Sequence, residues 1–289
     1  MKPGNAALGL SLMLLLGADA PWNDASSGDL HAYARAVSLD VRGVVPSADE
    51  LGAIEAAGEL DDATLDAWLA SDGFVETAIE RHRERFWNQL ELTLLNNRRM
   101  GRRNGIYFVG NRARILRGQT QVHCGVMEAD ADAQNVPLSW QDNGDGSISE
   151  GWVWVTPYWD PSQPIQVCAL DAQTAAVSPT GTDCSTEDAQ RDAGCGCGPD
   201  LMWCFGGDVE EQIETALAAD IDERVRSMLA TDAPYSNLLT GSDLFVNGAS
   251  THFFRHLAAF RTSDYESPVP LSALPSLDFS DPSYVSVAL

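Results

Sequence analysis

The chain has 289 residues, of which 44% are hydrophobic, and it carries 42 acidic against 18 basic side chains. This length predicts one large or two modest domains with a core of their own, and the hydrophobic content excludes a disordered chain. Because binding phosphates needs a net basic face, the formal charge of −24 argues against a nucleic-acid partner.

The N-terminus has the pattern of a secretory signal peptide. Lys2 precedes an apolar run over residues 6–17, and Ala18 and Ala20 form a small-x-small cleavage pattern. We therefore expect residues 1–20 to be removed and the protein to be periplasmic or at the cell surface. An uncleaved anchor or a buried apolar helix is the alternative. No later run is long enough to predict a membrane span.

The next hundred residues predict a helical N-terminal domain, 27–117. Ser47 and Glu50 have the spacing of a capping box, and acidic residues at 61 and 62 suit the start of another helix. Apolar residues recur at helical spacing in each segment. The predicted helices are 31–39, 47–57, 61–70 and 73–95.

The middle of the chain, 118–206, differs in composition. Asn143-Gly144-Asp145-Gly146 is a strong turn signal between β-branched and Trp-rich flanks, so we expect a β-hairpin over 136–158 that contains Trp152 and Trp154. Residues 160–206 lack periodicity and predict a long irregular insertion.

All six cysteines lie in the middle region, 118–206, and their even number in a chain expected to be exported predicts up to three disulfides with fifteen connectivities. A metal site on Cys195, Cys197 and Cys204 is the alternative, although structural zinc favours longer spacers. No cysteine is followed by His in a C-x-x-C-H motif, so we expect no covalent haem. The predicted disulfide residues are Cys124, Cys168, Cys184, Cys195, Cys197 and Cys204.

The C-terminal region, 207–289, returns to helical patterning. A helix with Asp208 as its cap is predicted to run to about Ala230, and shorter helices are predicted at 234–239 and 250–260. The tail from Pro268 has no clear pattern. The expected fold is therefore mainly α, with a Trp-rich hairpin and a disulfide-stapled insertion.

Charge is distributed unevenly. Residues 81–117 hold ten arginines and two glutamates, whereas residues 118–223 hold twenty acidic residues and one arginine. One hypothesis is an arginine surface that binds an anionic partner through forked hydrogen bonds. The alternative is neutralisation of the arginines by the acidic stretch. The anion-binding candidates are Arg98, Arg99, Arg102 and Arg103.

The same turn at 142–147 resembles part of a calcium loop, because hard cations favour clustered oxygen ligands. When Gly146 is placed at the sixth position of such a loop, however, Gln141 and Trp152 fall at its first and twelfth positions, where acidic residues belong. An irregular calcium site and a plain hairpin turn both remain open. The candidate calcium ligands are Asp142, Asn143, Asp145 and Glu150; no other cofactor is expected.

Histidines offer little evidence for catalysis. His252 and His256 are four residues apart on a predicted helix, a spacing that can bind zinc. Metalloproteases have Glu directly after the first His, whereas this chain has Phe253. We therefore expect a pair of histidines on the helix surface. His82 lies among arginines without a motif-linked partner. We find no complete catalytic motif, and an enzyme is the less favoured interpretation.

Two stretches follow a family pattern. The first comprises 33–51 (YARAVSLDVRGVVPSADEL), 68–74 (WLASDGF) and 82–87 (HRERFW), and the second is 233–248 (APYSNLLTGSDLFVNG). They resemble the N-terminal domain, and part of the companion domain, of a planctomycete-cytochrome-associated family of exported proteins whose function is unknown.

The resemblance implies that the protein is exported and that it acts together with c-type cytochromes in electron transfer or polymer breakdown. It supplies no catalytic residues. The chain has no haem motif and ends at Leu289, so we expect a shortened member or a fragment. We expect an exported, non-catalytic binding or scaffold module whose partner is a protein or an extracellular polymer. The alternative is a component of an oxidative or hydrolytic polymer-degrading system with a haem-bearing partner.

Overall fold

The computed structural model describes residues 27–86, 98–110, 116, 123–125, 128, 141–142, 148–258 and 269–288. The predicted signal peptide, 1–20, lies outside these residues. The chain divides into two units, one ending at Arg81 and the other beginning at His82. The sequence predicted its first boundary later, after Arg117.

The first unit is helical, as predicted. Ser47 caps the second helix, and its side chain and that of Glu50 form the predicted capping box. Asp61 caps the third by accepting a hydrogen bond from the Thr64 backbone N–H at 2.8 Å. The helices are α1 (Ser27–Arg42), α2 (Ala48–Ala57), α3 (Asp62–Leu69) and α4 (Asp72–Phe86), the last of which crosses the unit boundary.

Glu50 organises the polar contacts of this unit. It accepts hydrogen bonds from Arg42 Nη1 at 2.9 Å and from Trp68 Nε1 at 3.0 Å. The Arg42 guanidinium also lies over the Trp68 ring, 4.4 Å from its centroid, and reaches the buried Ser38 hydroxyl. Hydrogen bonds from Arg42 and from the Ser47 backbone N–H lower the pKa of Glu50 to about 2. All five residues belong to the stretches that carry the family resemblance.

The second unit contains a four-stranded sheet of order β1-β2-β6-β5, in which β2 runs parallel to β6 and the other pairs are antiparallel. The prediction of an all-helical region up to 117 is wrong for β1 and β2. β1 and β2 pair with each other across Asn104 and Gly105, a local turn signal that the sequence reasoning missed, and β2 also pairs with β6 about sixty residues later. The strands are β1 (Met100–Arg103), β2 (Ile106–Val109), β3 (Gln141–Asp142), β4 (Ile148–Ser149), β5 (Trp152–Val155) and β6 (Ile165–Cys168).

The predicted hairpin is shorter than expected. β3 and β4 pair antiparallel, with Gln141 opposite Ser149, on either side of the turn signal, whose residues 143–147 lie outside the described part. Trp152 and Trp154 are not in this hairpin, which corrects the prediction. They lie on β5, which pairs with β6 because alternate residues such as Val153 can then enter the core of the sheet.

The six cysteines form three pairs at disulfide distance. The pairs are Cys124–Cys168, Cys184–Cys195 and Cys197–Cys204, with Cα–Cα distances of 5.5, 5.1 and 5.2 Å. All six side chains are buried. The middle of the chain is therefore crosslinked, as the cysteine pattern predicted, and the geometry selects one of the fifteen connectivities.

The C-terminal part of the second unit combines helices with a second strand pair. Its long helix begins at Gly207 with Gly206 at the cap position, so the prediction of Asp208 as the cap is wrong. The tail without a pattern contains a strand, β8, which pairs antiparallel with β7. The elements are α5 (Gly207–Ala230), α6 (Asn237–Thr240), β7 (Asp243–Val246), α7 (Gly248–His252), one turn of π-helix (Phe253–Leu257) and β8 (Val285–Ala288).

The hydrophobic core of this part lies between α5 and the segment formed by α7 and the π-turn. Phe205 and Ile213 pack against Phe253 and Leu257, and all four are at most 6% exposed. Helix exceeds strand among the described residues, although strands are more extensive than a mainly α fold with one hairpin would have. The expected fold class is thus correct only in outline.

Candidate functional site

The structure describes two of the four predicted calcium ligands, Asp142 and Glu150, and the calcium site stays a prediction. Asn143 and Asp145 lie outside the described residues, and Asp142 lies on β3. Glu150 is instead near Cys124 and Cys168, with all three ligand atoms within 4.8 Å of one another. Those sulfurs are bonded to each other, so they do not serve as thiolate ligands.

The four candidate arginines have different environments. Arg98 is completely buried, and its Nη1 donates to the Gly196 carbonyl at 3.4 Å. Arg99 donates from Nε to Glu210 at 2.6 Å. Arg102 lies over the Tyr107 ring, and Arg103 is exposed. The Arg99 side chain is still 54% exposed in its pair with Glu210, so Arg99, Arg102 and Arg103 remain accessible and only Arg98 is removed from the candidates.

Two arginines of the basic segment pair with acidic side chains of α5. Arg83 binds Asp222 through Nε and Nη2, the shortest distance being 2.6 Å, and Arg99 binds Glu210. Both acids belong to the acidic stretch 118–223. For these arginines the structure agrees with neutralisation inside the second unit rather than with a surface for anions.

An open groove of about 530 Å³ lies between α5 and the segment that leads into β8, and we call it the α5 groove. One wall is the exposed face of α5, and the other is the segment 279–284. Asn247, Ala249 and Ala216 lie between the two walls. The wall residues are Glu211, Gln212, Thr215, Phe279, Ser280, Asp281, Pro282 and Tyr284.

Gly248 positions the second wall. A side chain there would overlap the backbone oxygens of Asp278 and Phe279, so only glycine lets this segment lie against α7. The Gly248 N–H donates to the Asp281 carbonyl at 3.0 Å. Tyr284 then donates from its hydroxyl to the Ala216 carbonyl of α5 at 3.4 Å, which ties the two walls together.

The groove presents both hydrogen-bonding and apolar surface. Within the described part of the chain, the side chains of Gln212, Thr215 and Ser280 make no hydrogen bond, so their donors and acceptors are available to a ligand. Burial and the nearby α5 carboxylates, Glu223 first, raise the pKa of Tyr284. Its hydroxyl therefore stays protonated. Phe279 adds a half-buried ring.

A second cavity, of about 510 Å³, lies on the loop closed by Cys184–Cys195. Its central carboxylate, Asp192, already accepts hydrogen bonds from Ser178, Thr180 and the Gly194 N–H. Burial would raise the pKa of Asp192, but these hydrogen bonds outweigh it and lower the pKa to about 2. The carboxylate is engaged in holding the loop, so the α5 groove is the better candidate.

The structure also brings histidine and aromatic side chains together beside the groove. The rings of His252 and His256 are 4.9 Å apart, and Tyr158 stacks on His252 at 3.7 Å. Phe279, which lines the groove, contacts both Tyr158 and His252. The expectation of a helix-surface pair is wrong, because both histidines are half-buried. His82 lies elsewhere, 5.6 Å from the Tyr235 ring.

Sequence reasoning missed the α5 groove. Glu211, Gln212 and Thr215 are ordinary polar residues of an amphipathic helix, and 279–284 lies in a tail without periodicity. The one available signal was Gly248 at the end of the second family-like stretch, since a glycine directly before a helix can mark a close backbone approach.

Comparisons of the chain with protein-family models, curated proteins and solved structures give no match. A membrane-crossing helix is not found among the residues that the structure describes, since none of their helices has the required length and apolar character.

Proposed function

We propose that the protein is an exported binding module whose α5 groove holds a hydroxyl-rich polymer, such as a polysaccharide. The observation that carries the proposal is the combination of unengaged amide and hydroxyl side chains with two aromatic rings in one open groove. Sugar rings present hydroxyl groups at their edges and C–H groups on their faces, so they need both kinds of surface.

The shape of the groove fits a polymer better than a small cofactor. Small-molecule sites enclose most of their ligand and are mainly apolar. The α5 groove is instead open, and exposed polar residues such as Glu211, Gln212 and Ser280 line it. A chain can lie across such a groove and leave at both ends.

We also propose that the protein is exported and belongs to the family that it resembles. Three cysteine pairs at disulfide distance are compatible with an oxidising compartment, which the predicted signal peptide 1–20 also indicates. The resemblance to the planctomycete-cytochrome-associated family supports a role in the handling of extracellular polymer beside a haem-bearing partner.

Binding is tested with the full chain, recovered with its disulfides intact, against a panel of soluble polysaccharides by isothermal titration. Glu211→Gln combined with Gln212→Ala removes two groove contacts, and we expect affinity for the polysaccharide that binds to fall about tenfold, since each lost contact is worth about 0.5–1.5 kcal/mol. Glu59→Gln, at an exposed carboxylate of the first unit, is the control and should change nothing.

Thr215→Trp provides a second test, because it fills the groove without removing a charge. It should abolish binding while the near-ultraviolet circular dichroism keeps its native form. If no polysaccharide binds, or if the groove variants bind as well as Glu59→Gln, the proposal is wrong.

A hydrolytic role is the second candidate, and one observation favours it. Glu211 and Asp281 contribute carboxylates to opposite walls of the groove, and glycoside hydrolysis uses such a pair. Release of reducing ends from the bound polysaccharide, lost in Glu211→Gln and in Asp281→Asn, would support hydrolysis. Binding without such release would establish the module as non-catalytic.

A further inference from the structure

The imidazole rings of His252 and His256 lie close together. Their ring centroids are 4.9 Å apart with an interplanar angle of 52°. A carbonyl oxygen only accepts hydrogen bonds, so the 3.0 Å contact between His252 Nε2 and the Met202 carbonyl requires the proton on Nε2. In the neutral ring, Nδ1 then carries the lone pair.

This contact has the form that metal-binding histidines commonly show. Such a histidine donates its other ring N–H to a carbonyl or carboxylate, which fixes the tautomer and the orientation of the ring. Tyr158, stacked on the face of the His252 ring at 3.7 Å, restrains that ring further. The ring is therefore already oriented before any ion arrives.

The backbone between the two histidines is also unusual. The α-helix containing His252 changes at Phe253 into one turn of π-helix, which ends at Leu257 and contains His256. π-turns are rare and occur frequently at functional sites, because they change the spacing of side chains along a helix. This feature is independent of the hydrogen bond to Met202.

Tyr158 supplies a third observation. Its hydroxyl is buried and, among the described residues, has no hydrogen-bond partner. A buried hydroxyl in this state is costly unless a further group satisfies it. Since Tyr158 stacks on His252, solvent that enters with an ion is one group that can accept this hydrogen bond.

From this geometry we infer that His252 and His256 form a binding site for a divalent transition-metal ion, with two imidazole ligands and solvent in the remaining positions. Imidazole ligands suit Cu²⁺ and Zn²⁺, and the general order of affinities favours Cu²⁺. The site is distinct from the cysteines, and it adjoins the α5 groove through Phe279. It does not depend on what the groove binds.

Titration of the metal-free full chain with Cu²⁺, followed by calorimetry and electron paramagnetic resonance, tests the site. We expect one tightly bound Cu²⁺ whose spectrum shows hyperfine coupling to imidazole nitrogens. His256→Gln should weaken binding by at least about tenfold, since even loss of a supporting contact costs about 10–100-fold. His82→Gln, which alters a histidine outside the cluster, is the control and should bind as the wild type does.

Zn²⁺ gives a test that needs no variant. In the wild-type protein, the ring nitrogens of His252 and His256 should shift together in nitrogen-15 spectra as one equivalent of Zn²⁺ is added. The inference is overturned if a folded His256→Gln variant binds Cu²⁺ as tightly as the wild type, or if His82→Gln loses binding to the same extent. It is also overturned if Zn²⁺ shifts the signals of other side chains and leaves those of His252 and His256 unchanged. Cu²⁺ held only by the N-terminal amine would overturn it too, since it would survive in both variants.

Discussion

The two units are stabilised by contacts of different range. In the first, Ser47, Glu50 and Asp61 cap helices within a few residues, and the contact from Glu50 to Trp68 spans only 18 positions. In the second, β2 pairs with β6 about sixty residues later, and β7 pairs with β8 about forty residues later. Local signals therefore determine the first unit, whereas the second depends on closing long loops, which disulfides assist.

The largest expected difference follows from reduction. All six cysteines lie in the second unit, so a thiol reductant should remove about 2–5 kcal/mol from its stability for each pair broken and leave the first unit unchanged. Hydrogen exchange by mass spectrometry should show lost protection across 152–168 and 195–216 but not across 31–57. Equal loss of protection in α1 and α2 would show that the two units are not independent.

Gly248→Ala is the next largest perturbation. Its methyl group would collide with the backbone oxygens of Asp278 and Phe279, which should cost about 3 kcal/mol or displace the segment that forms the groove wall. Thermal unfolding measures the cost. Gly207→Ala, at a position with no neighbouring atom within 4 Å, is the control. Similar melting temperatures for the two variants would contradict this account of the wall.

These two perturbations show why sequence reasoning succeeded in one unit and not in the other. The Ser47 capping box and the helical spacing around Trp68 are visible in windows of a few residues. The four residues of β8 carry no such signal, because they are recognisable as a strand only when they pair with β7. The α5 groove depends on that pairing and on Gly248, so it could not be read from local windows.

Glu50 gives a smaller effect that depends on pH. Its folded pKa of about 2 is below the ordinary value of 4.5, so its stabilisation is complete above about pH 4.5 and is lost as the pH falls towards 2. Because this carboxylate is a third exposed, we expect a loss of about 1 kcal/mol. Exchange protection of α2 peptides should follow this pH profile in the wild type, and Glu50→Gln should flatten it. An unchanged slope in the variant would contradict the role given to Glu50.

The smallest effect expected is that of a helix cap. Asp61→Ala removes the acceptor for the Thr64 N–H and should destabilise α3 without affecting the other helices. Asp66→Ala, which changes an exposed residue within the same helix, serves as the comparison and should have little effect. Equal losses in the two variants, measured by chemical unfolding, would show that the cap contributes nothing specific.

The most direct test of the proposed function is hydrogen exchange of the full chain with and without the polysaccharide that binds it. The account predicts new protection in peptides that cover 211–216 and 279–284, the two walls of the α5 groove, with no change in 31–57. Protection confined to the first unit, or to the exposed arginines at 102 and 103, would contradict the account and place the binding surface elsewhere.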